Sequence, residues 1–231
     1  STVRTMIYNA LPVVFIPATL CDGALYQDAI ESLGSSIEPH ILLSPKPTLD
    51  ESVADILSRA PEKFALVGTS YGGNVAMLVA LTAPERVLKL VLSGCDPNAP
   101  VPGGPDFAAG LKAAPDMVID LLAGLVVKPE HTDAKAVFYQ MAKRVGAEAG
   151  ANQARAMASR QEVMSRLGTL SMPALVIQGE DDPLAPMAQS QALADALPNS
   201  AFRIIMGCGH LPPLEKPDEY TVLLQNFLGD H

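Results

Sequence analysis

Along this chain, short runs of apolar residues alternate with stretches in which apolar side chains recur every three or four positions. The runs predict strands near residues 12–16, 38–43, 64–67, 87–93, 173–178 and 201–205, and the stretches between them predict helices. Runs as uniformly apolar as Val13-Val14-Phe15-Ile16 and Phe64-Ala65-Leu66-Val67 are expected where a strand is covered on both faces. The pattern therefore predicts an α/β fold, a mostly parallel sheet flanked by helices. Asp50 and Glu51 open one helix whose apolar positions are Val53, Ile56 and Leu57, and Pro217-Asp218-Glu219 opens the last, with acids against the helix dipole.

The alternation lapses between Asp96 and Gly168, where helical patterns follow one another without a strand. The lapse begins with Pro97-Asn98-Ala99-Pro100-Val101-Pro102-Gly103-Gly104-Pro105, whose prolines and glycines lead the chain off the sheet. Val118, Leu121, Leu122 and Leu125 recur at i, i+3, i+4 and i+7 and predict one buried helix face. The expected organisation is a core made of residues 1–96 and 169–231, with residues 97–168 inserted as a helical cap. No internal repeat or low-complexity tract interrupts it.

Candidate chemistry starts at Gly68-Thr69-Ser70-Tyr71-Gly72, between the run ending at Val67 and the helical Asn74-Val75-Ala76-Met77-Leu78-Val79-Ala80. A serine on so abrupt a strand-to-helix turn is held in an exposed conformation, and glycines flank it because side chains there would meet the neighbouring strand and helix. Such a serine needs a histidine to take its proton and a carboxylate to orient that histidine. Of the four histidines, His40 sits in a strand, His131 in a polar connection, and His231 ends the chain. His210 follows the strand at 201–205 in Gly207-Cys208-Gly209-His210, where sites on parallel sheets gather. The acid is expected after the strand at 173–178, where Glu180, Asp181 and Asp182 stand in a row and spacing alone leaves the choice open.

The order Ser70, acid, His210 on a βα scaffold resembles the α/β-hydrolase family. Gly179 to Asp182 match its Gly-x-x-Asp pattern, and Gly209, His210, Glu215 and Pro217 match its Gly-His and Glu-x-Pro pattern. The resemblance covers nearly the whole chain outside the middle third. It implies Ser70 as nucleophile, His210 as base and Asp182 as the orienting acid. Asp181 and Glu180 are then turn residues that also cap the next helix, and Asp96 is the reserve acid. It implies an oxyanion hole built from the N–H of Tyr71 and that of Thr19 or Leu20, although Pro17-Ala18-Thr19 replaces the family's usual His-Gly pair. The segment from Ile41 to Pro47 is shorter than in many relatives, which alters one wall of the pocket.

Composition narrows the partners. A chain of 231 residues that is 48% apolar can bury one sizeable core, and a formal net charge of -9 disfavours nucleic acid and anionic membranes. No run is long enough for a bilayer span, and the start Ser1-Thr2-Val3-Arg4 lacks a signal-type apolar region. Cys21, Cys95 and Cys208 suit neither a disulfide framework nor a metal site, which favours the cytoplasm. Met117, Met141, Met157, Met164 and Met172, with Phe107, Phe138 and Tyr139, either roof a pocket or fill gaps between helices. Lys143, Arg144, Arg155, Arg160 and Arg166 read as a solvated face, one of which could meet a substrate carboxylate.

What the resemblance implies is hydrolysis of small or medium carboxylic esters, without metal or organic cofactor. The same triad serves lactonases and carbon–carbon hydrolases of aromatic degradation, and a ligand-binding homologue could retain the scaffold without catalysis. The partner expected is a small-molecule ester or lactone, and nothing in the chain specifies an oligomeric state.

Overall fold

The computed structural model describes residues 10–229, so the chain start from Ser1 to Arg4 and the terminal His231 lie outside the described residues. The elements run β1 Leu11–Ile16, α1 Gln27–Leu33, β2 Ile37–Ile41, α2 Leu49–Arg59, β3 Phe64–Thr69, α3 Tyr71–Thr82 and β4 Val87–Ser93. Four helices follow without a strand: α4 Phe107–Ala113, α5 Pro115–Val126, α6 Thr132–Val145 and α7 Ala147–Ala158. The chain then returns to the sheet with β5 Ala174–Gly179, α8 Met187–Ala196, β6 Ser200–Ile205, α9 Pro212–Glu215 and α10 Pro217–Leu228.

All six strands are parallel, in the order β2-β1-β3-β4-β5-β6. Strands β3 and β5 are buried at every position, which is why their sequences are continuous apolar runs. Strand β2 lies at an edge and is partly exposed, and it tolerates Pro39 because an edge strand has one side free of ladder bonds. It ends at Ile41 rather than at residue 43. The Leu42 N–H still donates to the Phe15 carbonyl at 3.1 Å, but Pro45 and Pro47 then draw the chain away.

Successive strand residues point to opposite faces and so divide the core in two. Val13, Phe15, Val67, Val91 and Ile177 pack with α1 and α10, and also with Leu111, Val126, Phe138 and Met141 from the helices between β4 and β5. Val14, Ile16, Leu66, Leu92 and Val176 pack on the other face with residues of α2, α3 and α8. The helical segment thus shares a core with one face of the sheet.

Asp50 and Glu51 stand in the first turn of α2 as expected, Thr48 caps it with Oγ1 accepting the Glu51 N–H at 3.2 Å, and the apolar stripe is Leu49, Val53 and Ile56 with Leu57 partly buried beside it. One local expectation needs adjusting. On α5 the buried face is turned by about one position. Ala123 and Val126 are buried and Val118 and Leu122 half-buried, whereas Leu121 is 55% exposed, because the helix meets the core along the 118, 122, 126 row.

The chain passes from β1 out to β2 and then back across β1 to β3, so the loops leaving β1 and β3 diverge at a topological switch point. Crevices on open parallel sheets form at such points, outside the carboxyl ends of the strands.

Candidate active site

Ser70 occupies the turn from β3 into α3 with φ 57° and ψ -122°. Among the described non-glycine residues, only Leu20 shares a positive φ. That backbone is held by hydrogen bonds at both ends: the Ser70 N–H donates to the Ser93 carbonyl at 2.7 Å, and its own carbonyl accepts from Gly73 and Asn74. The flanking glycines are required by close approach. A Cβ on Gly72 would lie 1.9 Å from the Ile16 carbonyl oxygen, and one on Gly68 would lie 2.4 Å from that of Gly72.

Below the turn, the Tyr26 hydroxyl donates to the Ile16 carbonyl at 3.1 Å and lies 2.6 Å from Thr69 Oγ1, which ties β1 to β3 beneath Ser70. Burial raises the Tyr26 phenol well above its usual range, so it stays a donor.

His210 reaches Ser70 from the loop after β6. Its Nε2 lies 2.7 Å from Ser70 Oγ, and its Nδ1 lies 2.8 Å and 3.0 Å from the two carboxylate oxygens of Asp182. The acid at Nδ1 fixes the tautomer that carries the proton there and leaves Nε2 as acceptor for the serine hydroxyl. Asp182 is itself held, since its Oδ1 accepts the N–H groups of Leu184 at 2.8 Å and Ala185 at 3.0 Å.

The other acids go elsewhere. Asp181 is exposed and pairs with Lys128, while Glu180 accepts the Gly207 N–H at 3.1 Å. Neither caps α8, contrary to expectation. That helix starts after Pro186 with no side-chain cap, and the segment from Pro183 to Pro186 separates it from the acids. Asp96, the reserve, forms an ion pair with Arg160 at 3.0 Å and makes no bond to His210.

The loop carrying His210 has an anchor of its own. Glu215, with its side chain fully buried, accepts the N–H groups of Gly209 at 3.2 Å and Leu211 at 3.0 Å on either side of the histidine. It also accepts the Lys128 N–H and lies 2.9 Å from Nδ1 of His131, so the residues entering α6 share the anchor. His131 lies in the connection before α6, as expected, and from there supports the site. His40, by contrast, pairs with Glu38 on the edge strand.

Of the expected oxyanion donors, two remain open. Tyr71 stands at the first helical position, where no intrahelical acceptor exists for its N–H. Thr19 lines the same cavity as Ser70 and His210. Leu20 has to be withdrawn: its N–H donates to Oε1 of Gln153, on α7, at 2.9 Å in a buried bond. Leu20 is fully buried at φ 64°, a conformation that costs a leucine about 1–2 kcal/mol. Gln153 and the bare Cα of Gly150, where a Cβ would come within 2.5 Å of the Leu20 side chain, make that conformation possible. Replacing Gln153 by alanine leaves the Leu20 N–H unpaired, and urea unfolding is expected to show a loss of about 1–3 kcal/mol. A loss below about 0.5 kcal/mol would mean that the N–H finds another partner.

Above Ser70 lies a cavity of about 1010 Å³, roofed by the Pro100–Pro105 loop and by α4, α5 and α7. Phe107, Leu122, Val126 and Phe138 give it an apolar wall. Of the five methionines, only Met157 lines it; Met141 is in the core, Met117 is exposed and the others pack below. Tyr139 turns away to Asp120, at 2.6 Å. The three cysteines are buried, which pushes the Cys95 thiol up to about 12 and raises Cys21 and Cys208 as well, so each is a packed thiol rather than a nucleophile. Among the described residues there is no cluster suited to a metal ion, and no helix is long and apolar enough to cross a membrane.

Comparison with known proteins agrees with this architecture. A family model described as "Alpha/beta hydrolase family" matches residues 24–222. The 2-hydroxy-6-oxononadienedioate/2-hydroxy-6-oxononatrienedioate hydrolase of Paraburkholderia phymatum is 31% identical over 189 residues, which are 73% of this chain and 63% of that protein. The match thus spans under two thirds of that relative's length. The pimeloyl-(acyl-carrier protein) methyl ester esterase of Aliivibrio salmonicida is 27% identical over 237 residues, covering 90% of this chain and 88% of that one. A thermophilic esterase from Thermogutta terrifontis superposes with a TM-score of 0.84 at 22% identity, over 96% of this chain and 90% of that one.

Proposed function

The chain belongs to the alpha/beta hydrolase family, and we propose that it cleaves small to medium carboxylic esters through a covalent acyl-serine. The observation that carries this reading is the single imidazole of His210 bonded on one side to Ser70 and on the other to a buried Asp182. Ser70 Oγ attacks the ester carbonyl carbon while His210 Nε2 takes its proton. The resulting imidazolium is stabilised by Asp182 and then gives the proton to the leaving alcohol. Water follows the same route in reverse: His210 deprotonates it, it attacks the acyl carbon, and Ser70 leaves with the proton. The N–H groups of Tyr71 and Thr19 bind the oxyanion in both steps, a contribution of about 3 kcal/mol per donor in serine hydrolases. None of these steps calls on a metal or an organic cofactor.

The helices between β4 and β5 act in this reading as a cap that gives the acyl chain an apolar wall. The mixed names of the relatives support hydrolysis in general and leave the bond open. Similarity to the Paraburkholderia phymatum enzyme favours carbon–carbon hydrolysis as a second reading, because the same triad can activate attack on a ketone. A fluorophosphonate probe followed by a screen of p-nitrophenyl esters of graded length tests the first reading. Labelling at Ser70 with turnover of the shorter esters is the expected result. Labelling without ester turnover, but with cleavage of a 2-hydroxy-6-oxo-dienoate, would select the second, and no labelling at all would remove the hydrolase reading.

A further inference from the structure

The cavity above Ser70 is apolar along its inner wall but not at its outer end. Eight cationic side chains lie on the segment between β4 and β5, and most are accounted for. Arg144 pairs with Asp22 at 2.7 Å, and Lys128 with Asp181 and Glu130. Arg160 reaches the cavity, but its charge is met by Asp96 at 3.0 Å and its other N–H groups by the Asn98 and Met157 carbonyls. Lys135, Lys143 and Arg166 do not line the cavity. That leaves Lys112 on α4 and Arg155 on α7, two helices packed against each other. Both line the cavity, and neither has a partner among the described residues.

The one carboxylate on the same wall is Asp106, and its Oδ1 caps α4 by accepting the Ala109 N–H at 2.9 Å. The outer end of an apolar chamber thus carries two uncompensated positive charges, in a chain whose formal net charge is -9. Both side chains are exposed at the mouth, so they draw an anion by a field that salt screens, and the apolar wall supplies the rest of the hold on the chain. A guanidinium also matches the two oxygens of a carboxylate with parallel N–H donors.

We propose that Arg155, assisted by Lys112, is an anion subsite, and that the preferred substrates are half-esters of dicarboxylic acids. The ester carbonyl sits at Ser70, the chain lies along the apolar wall, and the free carboxylate meets Arg155. This inference rests on the ester-hydrolase reading above and adds to it the class of acyl group.

The test compares monomethyl half-esters of aliphatic dicarboxylic acids of graded length with the dimethyl diesters of the same acids. Wild-type enzyme is expected to favour the half-ester of the best length by about three- to fivefold in kcat/KM, in keeping with an ion pair made by exposed side chains. Arg155→Gln should collapse that ratio mainly through KM, Lys112→Gln should reduce it by a smaller factor, and high salt should shrink it in the wild type. Arg166→Gln, outside the cavity, serves as the control and should leave the ratio as it was. An equal or reversed wild-type preference, or a ratio unmoved in Arg155→Gln, overturns the subsite while Ser70 labelling and diester turnover persist. If Ser70 does not label and neither ester series is hydrolysed, the parent reading fails and the subsite with it.

Discussion

Replacing Ser70 with alanine is expected to cut ester turnover by ~10^4-fold or more while leaving the fold intact. The loss is large because the hydroxyl is the group that stands at 2.7 Å from His210 Nε2, and no neighbouring side chain can replace it. All three cysteine thiols are buried, and burial holds each above its ordinary pKa. The fold survives because the backbone at position 70 is held by its N–H bond to Ser93 and by Gly73 and Asn74 on its carbonyl, none of which uses the side chain. The measurement is steady-state hydrolysis of a short p-nitrophenyl ester, with circular dichroism and a melting curve beside it. Retention of more than a tenth of the activity would refute the nucleophile assignment. A second substitution separates strain from chemistry. Ser70→Gly is equally inactive but relieves the positive φ, so it should be more stable than Ser70→Ala by about 1 kcal/mol.

The elements of this site differ in how far the sequence reveals them. Strands β3 and β5 are visible because burial on both faces writes an unbroken apolar run, and the Ser70 turn is visible because close approach of β1 forces glycine at 72. From spacing alone the acid is visible as one of three adjacent candidates, and only the resemblance to the family pattern Gly179 to Asp182 singles one out. What separates Asp182 from Asp181 is the direction each side chain takes from one turn, inward to His210 or outward to Lys128, and side-chain composition does not encode that direction. Leu20 shows the limit most clearly. Its positive φ has no local signature, since leucine is a poor residue for it, and the partner that stabilises it, Gln153, lies 133 positions away. The Glu215 anchor leaves half a signal: Glu215 belongs to a recognisable pattern, while His131, which it also engages, does not. On α5 the apolar residues outnumber the positions that the core can take, so periodicity alone assigns Leu121 to the buried face that Ala123 and Val126 occupy.

Asparagine in place of Asp182 is expected to lower kcat by ~10^4-fold, whereas asparagine in place of Asp181 should stay within about twofold of wild type. The two positions are chain neighbours with the same change of charge, so the contrast isolates what Asp182 does. The N–H groups of Leu184 and Ala185 both point at Oδ1 and would keep the amide oxygen of the Asp182→Asn side chain there. The amide nitrogen would then face Nδ1 of His210, where a carboxylate oxygen stands at 2.8 Å. A donor at that place favours the tautomer with its proton on Nε2, which cannot accept the serine proton and offers a hydrogen to Ser70 instead. Asp181 has no such leverage, since its carboxylate is exposed and pairs with Lys128, and losing a surface ion pair costs little. The pH profile adds a check that a merely structural loss would not mimic. As the alkaline limb is approached, Asp182→Asn should recover part of its rate when solvent base can take the proton that His210 no longer accepts, while the profile of Asp181→Asn should overlay that of the wild type. If the ranking of the two variants is reversed, the orienting acid is Asp181, and the geometry around His210 would have to be redrawn by one residue.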